Sequence, residues 1–276
     1  MTIVSTEPLR LWSGGAWLEG PAWIPTSATV RFSDIPNDRI LEYSAATGVA
    51  REYATNVEFV NGRTLDRDGS IIQCSHGRRR LERDRDGVVE PIVDRWADGR
   101  FNSPNDVVVS TDGTVWFTDP PYGLHESGRE GHPGTPDYAG CFVFRVANGV
   151  AEPVVTDMVH PNGLAFSPDE SVLYIADTGV VWLDGAPRHI RAYDTTTWQG
   201  RVFVEPDGIA DGFRVDEIGR LWTSSSESLQ IFAPDGTLLE TVPIPERVSN
   251  LCFGGPDGRD VYLTATTSLY RLRRLD

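Results

Sequence analysis

Short apolar runs alternate with polar positions along this chain, and each run ends at a turn signal. The arrangement recurs as a polar residue, an alternating stretch, a turn, and a second apolar stretch. Five copies are plain: NGRTLDRDGSIIQC from Asn61, NDVVVSTDGTVWFT from Asn105, NGLAFSPDESVLYIA from Asn162, DGFRVDEIGRLWTS from Asp211 and NLCFGGPDGRDVYLT from Asn250. A weaker sixth, EGPAWIPTSATVRFSD, begins at Glu19. At the same offset from the leading residue stand Gly69, Gly113, Gly219 and Gly258, with Glu170 and Ser27 in the remaining copies. An Asp-Gly or Asp-Glu pair between two apolar runs predicts a hairpin, because such turns need residues that tolerate positive φ.

The leading residues are 42, 44, 57, 49 and 39 positions apart. Repeats of roughly 40–50 residues, each with several short strands, describe β-propeller blades. Third strands are expected at Arg39–Tyr43, Arg78–Arg83, Cys141–Val146, His189–Tyr193, Leu229–Phe232 and Leu269–Leu272, and fourth strands at Glu152–Thr156 and Gly200–Val204. The last repeat ends after its third strand, so residues around Leu9–Trp12 are expected to supply the missing edge and close the ring. The prediction is an all-β chain, one six-bladed propeller over residues 1–276. Two stacked β-domains would leave the single register from Glu19 to Asn250 unexplained.

In such a ring the first strand of each blade lines the axis, so the six leading residues converge: Glu19, Asn61, Asn105, Asn162, Asp211 and Asn250. All carry a side-chain oxygen, and none is His or Cys. That donor set suits a hard cation, Ca²⁺ above all, with Mg²⁺, Mn²⁺ or Zn²⁺ as alternatives. The plainer reading of Asn or Asp before Gly is a turn or an Asx bond to the local backbone. Loops joining second to third strands fall on the same face, among them Ser75–Gly77 and the Gly/Pro/His-rich segment Asp119–Ala139, a candidate lid. His76, Arg100, Asn61 and Tyr122 are the candidate substrate contacts. His160 is expected to point away from the axis, and His125 and His132 stay open within the long loop.

Composition narrows the chemistry. There are 25 basic residues, all arginine, against 40 acidic ones, for a net charge of −15. The absence of lysine excludes a Schiff-base lysine or a P-loop, and the anionic surface argues against nucleic acid or anionic membrane as partner. Cys74, Cys141 and Cys252 are far apart without zinc spacing, and read as buried thiols of a reducing, cytoplasmic protein. No secretory signal or membrane span is visible. A nucleophile elbow, an H-E-x-x-H helix and a dinucleotide fingerprint are all missing.

The segments LEGPAW, RFNSPNDVVVSTDGTVWFTDPPYG, HPNGLAFSPDESVLYIADTG and ADGFRVDEIGRLWTSS occur in an order that resembles the SMP-30/gluconolactonase/luciferin-regenerating family, its bacterial gluconolactonase branch in particular. The resemblance implies a six-bladed propeller with one axial divalent cation, held by Glu19, Asn105, Asn162 and Asp211. It implies hydrolysis of a small lactone, with Asp211, or else Glu19, as the proton acceptor, and it makes Arg100 a substrate contact. A related hydrolase acting on phosphoesters or organophosphates, and a non-enzymatic binding propeller, are the alternatives.

Overall fold

The computed structural model describes residues 2–5 and 7–275. It contains six four-stranded antiparallel sheets, each built in chain order from the axis outward, and one small two-stranded hairpin, Arg95–Trp96 with Gly99–Arg100. The first strands are Leu18–Ile24, Val60–Leu65, Val107–Val109, Pro161–Phe166, Phe213–Val215 and Val248–Gly254. The sixth sheet takes its outer strand from the other end of the chain: Leu9–Ser13 pairs antiparallel with Ser268–Arg273. Closure by the N-terminal strand is as expected from the truncated last repeat.

The burial pattern follows from stacking each sheet between two neighbours. Second strands such as Ile71–Ser75, Val115–Asp119 and Asp260–Ala265 are buried on both faces, which is why they read as near-continuous apolar runs. Outer strands such as Val49–Thr55 face water along most of their length. The core accordingly divides by interface between sheets. Phe117, Phe144 and Val107 of the third sheet pack with Ile72, Cys74 and Leu81 of the second. Trp222 and Ile231 of the fifth pack with Leu251 and Leu263 of the sixth. The seam between the first two sheets differs, with only Ile40, Val57 and Val60 in its buried apolar cluster. There Arg31 bridges Glu42 at 3.0 Å and Asp84 at 3.2 Å while lying 3.5 Å over the Tyr53 ring.

Some boundaries differ from the sequence reading. The third strand of the second sheet is Arg80–Arg85 rather than Arg78–Arg83, because Ser75–Arg79 is a turn with Arg79 at φ 55° and its N–H bonded to the His76 carbonyl. Cys74 and Cys252 are buried free thiols, whereas Cys141 is half-buried. Burial raises the pKa of all three, so none is a ready thiolate. Among the described residues no helix is long and apolar enough to cross a membrane.

Candidate active site

What brings the leading residues together is the glycine that follows most of them. A Cβ on Gly20 would lie 2.4 Å from the Asn61 carbonyl oxygen, one on Gly62 2.5 Å from that of Asn105, and one on Gly163 2.4 Å from that of Asp211. A Cβ on Gly212 would collide with the Asn250 side chain. Each glycine thus lets one sheet's first strand touch the next sheet's leading residue, and the N–H groups of Gly62 and Gly163 bond those same carbonyls at 2.8 and 2.9 Å. These Asn-Gly and Asp-Gly pairs are therefore close approaches of backbone at the axis, not turns. The pairs at the Asp66–Ser70 and Ser110–Thr114 hairpins are turns, with Gly69 and Gly113 at φ 84° and 85°.

Five of the six leading residues, Glu19, Asn61, Asn105, Asn162 and Asp211, line one cavity of about 250 Å³ at this end of the axis. Asn250 is set behind them. Its Oδ1 accepts the Leu251 N–H at 2.8 Å, and its Nδ2 donates to Glu19 at 3.2 Å and to Asp106 at 3.3 Å. Its oxygen is already used by its own backbone. Asp106 stands where four of the other repeats have glycine. Its buried carboxylate accepts from Val107 N and lies 3.5 Å from Arg214 Nη1. Sequence reasoning passed over Asp106, although Asn-Asp in place of Asn-Gly marked it.

Asn61 has a fixed orientation. The Glu130 carbonyl can only accept, so His76 donates to it through Nδ1 at 2.8 Å, leaving Nε2 to accept from Asn61 Nδ2 at 3.2 Å. Asn61 Oδ1 is buried and without a hydrogen-bond partner. Burial lowers the His76 pKa to about 4, which keeps the ring neutral.

The walls come from loops on the same face. Tyr122 donates to or accepts from Thr178 Oγ1 at 2.6 Å and packs edge-on against Trp182, which also meets His125 and His160. These form an aromatic wall on the side of the third and fourth sheets. Trp17, Ile209 and Arg247, just ahead of the first strands of the first, fifth and sixth sheets, complete the lining with Arg129 and Glu130 of the long loop. The sequence reading missed the three connector residues. Their signal was positional, since a chain that re-enters each first strand from the axial face must line that face just before the leading residue.

Tyr122 and His125 do line the cavity. His76 does not: it is 1% exposed and sits behind Asn61. Arg100 does not either. It lies exposed on the small hairpin, bonded to the Arg78 carbonyl at 3.1 Å, with its own N–H on Asp137. His132 is at the surface, 2.8 Å from Glu58.

Electrostatically the axis is carboxylate-rich. Burial pushes Glu19 well above the usual range, and Asp211 and Asp106 add to the rise. Burial pushes Asp211 up to about 7, with Arg247 pulling it down and Glu130 and Asp106 pushing it further up. Among the described residues no three His, Cys, Asp or Glu side chains gather into a metal cluster. The oxygen set is instead two carboxylates and three carboxamides, one of them with an orphaned buried oxygen. Two like charges that resist ionisation together, surrounded by neutral oxygens, fit a hard cation by their chemistry.

Residues 17–267 match the family model of the SMP-30/Gluconolactonase/LRE-like region. The chain belongs to this family. Members similar to it include a gluconolactonase of Zymomonas mobilis, 30% identical across 98% of this chain and 82% of the relative. The pentonolactonase XacC of Haloferax volcanii is 31% identical across 89% and 80%. Among solved structures, the gluconolactonase XC5397 of Xanthomonas campestris superposes with a TM-score of 0.89 at 36% identity, over 97% of this chain and 89% of that one.

Proposed function

We propose that this chain is a lactonase that hydrolyses a small sugar lactone in the axial cavity. The observation that carries the reading is a lactone-sized cavity lined by two carboxylates, Glu19 and Asp211, and three carboxamides in a chain related over nearly its whole length to proteins named for lactone hydrolysis. Glu19, Asn105, Asn162 and Asp211 would hold one divalent cation, and their all-oxygen chemistry favours Ca²⁺. Such an ion supplies Lewis-acid polarisation of the lactone carbonyl.

The protein's own groups do the rest. Asp211 accepts a proton from the water that adds to the carbonyl carbon, and the ring C–O bond then breaks. The same proton passes from Asp211 to the departing alkoxide, leaving a hydroxy acid. Its position at the cavity lining lets one carboxylate make both transfers, accepting the proton from the water and returning it to the alkoxide. Asn61 Oδ1, fixed by His76, is free to accept from a substrate hydroxyl. Tyr122 and Trp182 give the sugar ring an apolar face, and the cavity falls below the roughly 300–1,000 Å³ of drug-sized sites.

The test is turnover of D-glucono-1,5-lactone by Asp211→Asn. Removing a positioned general base should lower kcat by about 10²–10⁴, while calorimetry still detects Ca²⁺ binding through the remaining oxygens. Near-normal hydrolysis by this variant would remove Asp211 from the mechanism.

A further inference from the structure

The cavity has two unlike sides. Tyr122, Val181 and Trp182 belong to the third and fourth sheets. Across the ring, where the sixth sheet meets the first, stand Arg129 and Arg247. Arg129 reaches over from the long loop, and its Nη2 donates to the Ala16 carbonyl at 3.3 Å, next to Trp17. Arg247 is held there by backbone: its carbonyl takes the Thr266 N–H at 2.9 Å, and the Thr266 carbonyl takes the Leu18 N–H at 3.3 Å. In a six-membered ring the junction of sheets six and one is diametrically opposite that of sheets three and four.

Neither guanidinium lies within ion-pair distance of a carboxylate among the described residues, although Arg31, Arg39, Arg83 and Arg273 each bridge at least one. Glu130 also lines the cavity, where burial pushes its carboxyl above the usual range and the adjacent Arg129 pulls it back in part. Glu19 and Asp211 lie at the floor, among the leading residues. The upper part of the cavity opposite the aromatic wall is therefore cationic, inside a protein of net charge −15. Arg129 spends one N–H on Ala16 and Arg247 also acts on Asp211, yet a neutral polyol brings no counter-charge to either, whereas a carboxylate or phosphate matches their geometry.

We propose that the preferred substrate is an anionic lactone, with a carboxylate or phosphate on the carbon chain at the end away from the aromatic wall, bound between Arg129 and Arg247. The inference rests on the lactonase reading above and adds the charge of the substrate to it. The lactone ring lies against Tyr122 and Trp182 above the leading residues, and its charged end spans the cavity.

The experiment compares D-glucono-1,5-lactone with 6-phospho-D-glucono-1,5-lactone and D-glucaro-1,4-lactone, alongside calorimetric binding of gluconate, 6-phosphogluconate and glucarate. The anionic lactones should show a KM at least about tenfold lower, as charge-assisted hydrogen bonds allow, with the carboxylate and phosphate arms separating the two anions. Arg129→Gln and Arg247→Gln should each erase most of that preference through KM. Arg129→Lys, which keeps the charge without the fork, should retain part of it. Equal kcat/KM for neutral and anionic lactones, or an equal loss on both in the glutamine variants, would overturn the proposal. If no lactone is hydrolysed, the lactonase reading fails instead. The binding series then decides alone: tighter binding of the dianionic acids, lost in the glutamine variants, supports the cationic subsite, and indifference to charge overturns it.

Discussion

His76 makes no contact with the cavity, yet substitutions there should be felt inside it. Its ring joins two elements: Nδ1 ties the long loop through the Glu130 carbonyl, and Nε2 fixes the orientation of the Asn61 amide. The two roles separate by shape. In His76→Asn the short amide can still donate near the Nδ1 position but cannot reach Asn61. In His76→Gln the longer amide can offer an oxygen to Asn61 Nδ2 while leaving the Glu130 carbonyl. Each lost contact strands a buried polar group, a destabilisation of about 1–3 kcal/mol. Asn61 is assigned to the substrate rather than to the metal, so a misplaced hydrogen bond worth about 1–2 kcal/mol should appear as roughly a tenfold change in substrate binding. KM for a lactone should therefore rise more in His76→Asn, while calorimetric Ca²⁺ titration of chelator-treated protein changes little. Hydrogen exchange across residues 124–135 should rise more in His76→Gln. The packing leaves little room for a bulkier ring, since a Cβ on the neighbouring Gly123 would lie 2.7 Å from that of His76. If His76→Asn keeps the KM of the parent, the orienting role assigned to His76 is wrong.

Four further outcomes concern contacts elsewhere in the ring. Gly62→Ala, whose Cβ would meet backbone atoms of Asn105 and Asp106 at 2.5–2.8 Å, should lower stability by about 1–3 kcal/mol in thermal denaturation and displace Asn105. Gly69→Ala, which has open space around it but φ 84°, should lower stability by about 1–2 kcal/mol without touching the site. At the seam of the first two sheets, Arg31→Leu leaves the buried Asp84 and Glu42 without their shared guanidinium, and should lower stability by about 3–5 kcal/mol in denaturant titrations. Asp119 supplies a pH signature. Burial pushes it up to about 7 from 3.8, even though Asn102 N–H and the Tyr138 hydroxyl donate to it. Because the native state holds this proton more tightly than the unfolded chain, the contribution of Asp119 to stability should be greatest below about pH 4. It should decline as pH rises toward 7, by up to about 4 kcal/mol, and Asp119→Asn should flatten that part of the profile. A parent protein whose stability rises steadily from pH 4 to 7, with no difference in Asp119→Asn, would contradict this assignment.

The repeat made the ring readable because each sheet is a local unit. A polar leader, a hairpin and two apolar strands are all set within some twenty residues, and the long-range contacts merely stack copies of them. Glu19, Asn61, Asn105, Asn162 and Asp211 were legible for the same reason, since one register places them at one end of the axis. Contacts that depend on partners far along the chain were not. His76 is turned away from the cavity by a carbonyl 54 residues on, which no spacing could announce. Arg100 is drawn off by the small hairpin and by Asp137 of the long loop.

The departures within the repeat carry the most chemical information. Four leaders are followed by glycine because their backbones touch the next sheet. After Asn105 that position holds Asp106 instead, whose carboxylate lies between Asn250 and Arg214 and raises the pKa of both Glu19 and Asp211. A fifth glycine at that position would have been the simpler way to close the ring. Asp106, itself held above the usual range by burial, adds to two acids that already resist ionising together, which is a liability for an empty axis and would be an asset for one that holds a divalent cation. The sequence exception and the electrostatics of the folded site therefore point to the same occupant. Asp106→Asn should consequently weaken Ca²⁺ binding while making the calcium-free protein more resistant to heat.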